Sequence, residues 1–143
     1  MMRPTMSRRS ERYVDGLAVA AGIIRLASGV SFLVAPEAAN RLWGDDEDSG
    51  PTASLLLRSM GYRDALIGGC LLASALRGGP NTAGWFLASA GADGADLIGG
   101  LANRQRMSLD QQRRGLGGAA VGVAIGLLGA GRARRRARPA VLP

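Results

Sequence analysis

The chain has 143 residues, is 47% hydrophobic but only 4% aromatic, carries 22 glycines and has a formal net charge of +7. One cysteine, Cys70, and no histidine exclude an internal disulfide, a Cys/His zinc site within one chain and a histidine-based catalytic triad. The basic residues are all arginine, and their excess flanks apolar segments, which points to lipid headgroups rather than nucleic acid.

Residues 1–12 (MMRPTMSRRSER) are polar and basic and read as a disordered tail. Four apolar segments follow, near 16–35, 53–76, 82–102 and 115–131, each close to the ~20 residues that a bilayer core requires. In the first, Ala18, Gly22, Arg25, Gly29 and Phe32 share one helical face. A basic start before an apolar run also fits a signal peptide, and Arg8-Arg9 fits a twin-arginine leader. Arg25 interrupts the apolar region, so a retained first span is the expectation. Lipidation has no support, since Met2 stands where myristoylation needs glycine and the C-terminus lacks a cysteine.

Pro36 ends the first helix. A short interfacial stretch from Glu37 to Trp43 follows, then an acidic run (Asp45, Asp46, Glu47, Asp48) read as a solvated loop because it lacks EF-hand spacing. In the second segment Ser54, Arg58, Gly61, Ala65 and Leu72 share a face, which turns Arg58 inward. Asp64 flanks that face, whereas Arg63 lies about 140° from Arg58 on an ideal helix and does not fit the same pocket, which leaves it to snorkel, face another subunit or pair locally. Cys70, in an apolar run, reads as a packing residue. The RGGPN turn at 77–81 implies an antiparallel hairpin.

The third segment carries a polar stripe of Thr82, Ser89, Asp93, Asp96, Gly100 and Asn103 at helical periodicity. A soluble amphipathic helix has a broad charged outer face. A narrow stripe of polar and small residues among aliphatics is the inverse, with polar groups turned inward. Residues 103–114 read as a polar loop. In the fourth segment Gly118, Gly122, Gly126 and Ala130 recur every four residues, the small-xxx-small spacing of close helix packing, either within the bundle or in an oligomer. The C-terminal tail, 134–143, is basic.

Six charges fall inside these segments: Arg25, Arg58, Arg63, Asp64, Asp93 and Asp96. They sum to zero, so the whole +7 lies outside the segments. A central Arg or Asp costs on the order of 3 kcal/mol on insertion, roughly 18 kcal/mol for six, so pairing across helices is required. Asp93 and Asp96 lie three residues apart on one face and repel unless a cation lies between them. An arginine, whose fork binds carboxylates bidentately, is the natural candidate. Two carboxylates are too few for a metal site.

The motifs R-x3-G-x3-L-x2-P (Arg25, Gly29, Leu33, Pro36), R-x2-G-x-R-D (Arg58, Gly61, Arg63, Asp64) and D-x2-D (Asp93, Asp96) resemble a small, widespread family of uncharacterised four-helix integral membrane proteins. The resemblance covers about residues 16–131 and implies the fold, without an activity to carry over.

The expectation is therefore all-α: a single four-transmembrane-helix bundle over 13–133, with short loops and basic tails at 1–12 and 134–143. With both termini cytoplasmic, ten arginines lie inside and five outside, as the positive-inside rule favours. The leading functional expectation is a non-enzymatic, multi-pass protein of the cell membrane, an accessory or assembly subunit with a buried Arg/Asp network. It would contact the lipid bilayer and a homo-oligomer or larger membrane complex through Gly118, Gly122 and Gly126, with no nucleic acid and no cofactor or metal. The alternative is a small transporter or ligand-binding membrane protein using the Arg/Asp cluster as its polar site.

Overall fold

The computed structural model describes residues 14–42 and 50–137, so the acidic run at Asp45 to Asp48, Trp43 and the chain ends lie outside the described residues. The described chain is all-α, without strands. Helix α1 (Gly16–Val34) starts at Asp15, whose carboxylate accepts the Leu17 N–H at 3.1 Å and so satisfies one of the orphan donors of the first turn. It stops at Ala35, because the residue before a proline is driven out of the helical region. Pro36 then opens α2 (Pro36–Leu42) at a first-turn position where its missing N–H costs nothing, so the proline ends one helix and starts the next.

Helix α3 (Pro51–Arg77) also begins on a proline. It ends at Gly78, whose φ of 62° is the left-handed cap that glycine adopts without strain. Helix α4 (Thr82–Asn103) follows after the short turn, and the Ser74 and Thr82 hydroxyls meet at 2.9 Å across it. A 3-10 turn (Arg104–Arg106) leads to α5 (Leu109–Ala137), opened by a capping box in which Gln111 N–H donates to Ser108 Oγ at 3.2 Å and Ser108 N–H donates to Gln111 Oε1 at 2.8 Å. Most of the expected 103–114 loop is thus helical, with a π-turn at Gln112–Leu116. At the other end the helix runs past the expected tail boundary, so Arg132, Arg134, Arg135 and Arg136 ride on its last turns. Cations there complement the helix dipole.

The four long helices form two close antiparallel pairs, α1 with α3 and α4 with α5, which meet more sparsely through α3 and α4. Glycines set the closeness of each pair. A Cβ on Gly68 would lie 2.9 Å from the Gly22 carbonyl oxygen, and one on Gly61 would lie 2.7 Å from that of Gly29. These two contacts are seven residues apart on each helix, so they form one continuous seam. In the second pair, a Cβ on Gly126 would lie 2.8 Å from the Phe86 carbonyl oxygen, and Gly129 faces the Phe86 ring.

The pairs converge at one end on Ala18, Leu71, Ala75, Phe86 and Ala130. The start of α1 and the end of α5 meet there through an ion pair, Arg136 to Asp15, at 3.0 Å. Phe86 and Leu71 are the largest fully buried side chains among the described residues, a small core for so apolar a chain. Large aliphatics instead line the outside of all four long helices, including Ile23, Leu55, Leu56, Ile98, Leu127 and Leu128. Two helices, α1 and α5, are long and apolar enough to cross a membrane.

Candidate functional site

The α1–α3 seam places the charges. Gly29 lies against Gly61 and Ala65, so Arg25, one turn before Gly29, comes level with Asp64, three residues after Gly61. The R-x3-G and G-x2-D spacings are thereby a crossing point with an ion pair beside it. Arg25 Nη2 donates to Asp64 Oδ1 at 3.0 Å. Its Nη1 reaches across to α4 and donates to Asp93 Oδ2 at 2.8 Å and to Ser89 Oγ at 2.7 Å. Arg25, Asp64 and Asp93 are each more than four-fifths buried.

Arg63 completes the chain of charges. Its Nε donates to Asp64 Oδ1 at 3.0 Å, and its two terminal nitrogens clasp Asp96 bidentately at 3.0 and 2.7 Å. The order is Asp93, Arg25, Asp64, Arg63, Asp96, linking α1, α3 and α4. Arg63 and Asp96 form its more exposed flank. Three carboxylates face two guanidiniums, so the cluster has a formal charge of −1.

Five of the six expected residues therefore meet, and the exception is not the expected one. Arg63 joins the network and Arg58 does not. The ideal-helix angle locates a Cβ and ignores the reach of the side chain: Arg63 wraps back around α3 beside Asp64. Arg58 lies further toward the start of α3, where α1 ends, and donates to the Leu33 carbonyl oxygen. That carbonyl is one of the last-turn acceptors a helix leaves without an internal partner. Ser89 belongs to the network although only its place in the polar stripe of α4 signalled it.

The cluster walls a cavity of about 590 Å³. Arg25, Asp64, Asp93 and Asp96, with Ser28, Asn40 and Ser89, supply its polar side, while Ile24, Phe32, Leu57, Met60, Leu116 and Ile125 supply most of the rest. Gly118 and Gly122 of α5 also line it. Gly122 lies under the Asp93 carboxylate, where a Cβ would come 2.6 Å from Cγ. The absent side chain makes the room that Asp93 occupies. Gly122 and Gly126 are thus both spent on α4 of the same chain.

Not every polar atom in the cluster is satisfied. Asp64 and Asp93 each engage one oxygen, and among the described residues nothing bonds Asp64 Oδ2 or Asp93 Oδ1. Among the described residues, Arg25 Nε is a buried nitrogen without a partner. Among the described residues no group of three or more Asp, Glu, Cys or His side chains is placed to hold a metal ion. The arrangement offers two unpaired acceptors and a net negative charge at the edge of an apolar space.

No curated protein and no solved structure matches the chain. The model of the family described as Domain of unknown function (DUF4267) matches residues 22–132. That stretch takes in the glycine seam, all six charges and the small-residue repeat of α5, and the chain belongs to this family.

Proposed function

We propose that the protein is a non-enzymatic, multi-pass membrane protein whose four long helices span the bilayer and hold a small-ligand site in the cleft beside Arg25, Asp64 and Asp93. The inverted surface supports the membrane part. Aliphatics point outward from every long helix while Arg25, Asp64 and Asp93 pair inside, an arrangement favourable in hydrocarbon and costly in water. At 1.5 Å per residue, the 27 residues of α3 and 22 of α4 extend about 40 Å and about 33 Å, enough for a core of about 30 Å. The ten arginines on the side of the termini favour a cytoplasmic placement for that side.

One observation carries the binding part: the charge network sits on the wall of a cavity of about 590 Å³, within the size range of small-molecule sites. The assembly reading relied on Gly118, Gly122 and Gly126 facing a second chain. The close packing of Gly122 and Gly126 against α4 removes its main support. Cysteine labelling tests the proposal. In a Cys70→Ser background, single cysteines replace Ala119 in the cleft and Leu128 on the outer face. In membrane vesicles, a water-soluble maleimide is expected to modify the first and spare the second. An Ala119 cysteine as unreactive as that at Leu128 would refute a water-reachable site.

A further inference from the structure

We infer that the cleft selects a small apolar monocation carrying N–H donors, a protonated amine with a hydrocarbon body, and rejects the corresponding anion. The inference rests on the proposed ligand site and names its chemical class. Three carboxylates against two guanidiniums leave one negative charge uncompensated. The excess is local, because Asp96 gives both oxygens to Arg63 whereas Asp64 and Asp93 keep one oxygen each unpaired. Arg25 bridges these two carboxylates, and both line the same cavity. An ammonium group donating to Asp64 Oδ2 and Asp93 Oδ1 would neutralise the cluster and complete its hydrogen bonding. A carboxylate ligand would meet those oxygens as a like charge.

The rest of the lining fixes the body of the ligand. Ile24, Phe32, Leu57, Met60, Leu116 and Ile125 offer no charge, and methionine side chains repack around irregular apolar shapes. A free metal cation would find an apolar wall opposite the carboxylates and too few oxygens to replace its hydration shell. An organic amine satisfies both sides of the cleft.

Three probes with one hydrocarbon body separate the possibilities: 4-phenylbutylamine, 4-phenylbutanol and 4-phenylbutyrate. Binding is measured by equilibrium dialysis against the full chain in lipid nanodiscs, with protein-free nanodiscs as the partitioning reference. The amine is expected to bind one per chain and at least about tenfold more tightly than the alcohol, with no saturable binding of the carboxylate. Asp93→Asn is expected to bring amine binding down to the level of the alcohol. Ile125→Trp, which fills the cleft, is expected to abolish binding of both. Equal binding of amine and alcohol, or preference for the carboxylate, would overturn the cation assignment while leaving a ligand site in place. Failure of all three probes to exceed the Ile125→Trp level would overturn the ligand site itself. The probe series on the unaltered chain decides the matter even if Asp93→Asn does not fold.

Discussion

Gly29 of α1 and Gly61 of α3 face each other so closely that a Cβ on Gly29 would stand 2.6 Å from the Gly61 carbonyl oxygen. The contact fixes the height of Arg25 against Asp64, so packing and electrostatics share one residue. Gly29→Val is therefore expected to do two things at once. It should separate α1 from α3 and pull Arg25 off Asp64, costing at least the 1–3 kcal/mol typical of overpacking, or about 3 kcal/mol here. Thermal unfolding in detergent measures it. Gly91→Ala, where nothing lies within 4 Å of the added Cβ, is the matched control and is expected to be neutral or slightly stabilising.

The six charges differ in what they hold. Arg25 bonds two carboxylates and a buried hydroxyl, whereas Arg58 bonds one backbone carbonyl at an exposed position. Arg25→Leu leaves Asp93 without its cation and is expected to cost about 3–5 kcal/mol, the range for breaking a buried pair. Arg58→Leu is expected to cost under about 1 kcal/mol. Arg25→Lys should fall nearer the leucine variant, since a point charge cannot bridge Asp64, Asp93 and Ser89 as a planar fork does. Denaturation midpoints of the three variants rank them directly, and equal losses from Arg25→Leu and Arg58→Leu would contradict the network.

Why Arg63 and Arg58 exchanged roles shows what the sequence carries. Helical periodicity locates Cβ atoms, and on that basis Gly22, Gly29 and Gly61 fell on inward faces, as the seam has them. It says nothing about where the guanidinium at the end of a flexible three-carbon arm comes to rest. Arg63 reaches Asp96 by turning around its own helix, and Arg58 turns away to a carbonyl at the end of α1. The pairing of helices was legible where a short turn enforced it, between α3 and α4. The tighter α1–α3 contact was not, because it depends on glycines of two segments meeting across an intervening loop. The segment after Asn103 read as polar loop because four arginines mask the capping box at Ser108 that starts α5.

Gly122 offers a way to move one carboxylate without touching a charge. A methyl group there would collide with the Asp93 side chain, 2.6 Å from Cγ, and push it from Arg25 Nη1. Gly122→Ala is expected to lower stability by about 1–3 kcal/mol, as overpacking does. In the Arg25→Leu background, where Asp93 has no partner to lose, the same substitution should cost less. A double-mutant cycle by chemical denaturation gives the coupling, expected at about 1 kcal/mol or more for residues that share a partner. Strict additivity would show that Gly122 acts on packing alone.

Arg63 and Asp96 form the exposed flank of the network, so their pair should be the weaker one despite its bidentate geometry. Arg63 is 34% exposed and Asp96 39%. Solvent screening discounts such a pair, and a coupling of about 0.5–1 kcal/mol is expected from the cycle Arg63→Gln with Asp96→Asn. If the bilayer covers this flank, the coupling measured in nanodiscs should exceed that in detergent.

Asp15 performs two jobs that substitutions separate. Its Oδ1 caps α1 by accepting the Leu17 N–H at 3.1 Å, and its Oδ2 binds Arg136 of α5 at 3.0 Å. Asparagine keeps a capping oxygen of nearly equal quality and loses the charge, so Asp15→Asn reports mainly the ion pair, expected at under about 1 kcal/mol for a partner that is a third exposed. Asp15→Ala loses both and is expected to cost about 1 kcal/mol more, the usual value of an N-cap. The ion pair ties the first and last long helices at the closed end of the bundle, so its loss should also raise amide exchange in the first turn of α1 and the last turns of α5 before it changes exchange around Phe86. Uniform acceleration across the chain would instead make Asp15 part of the cooperative core.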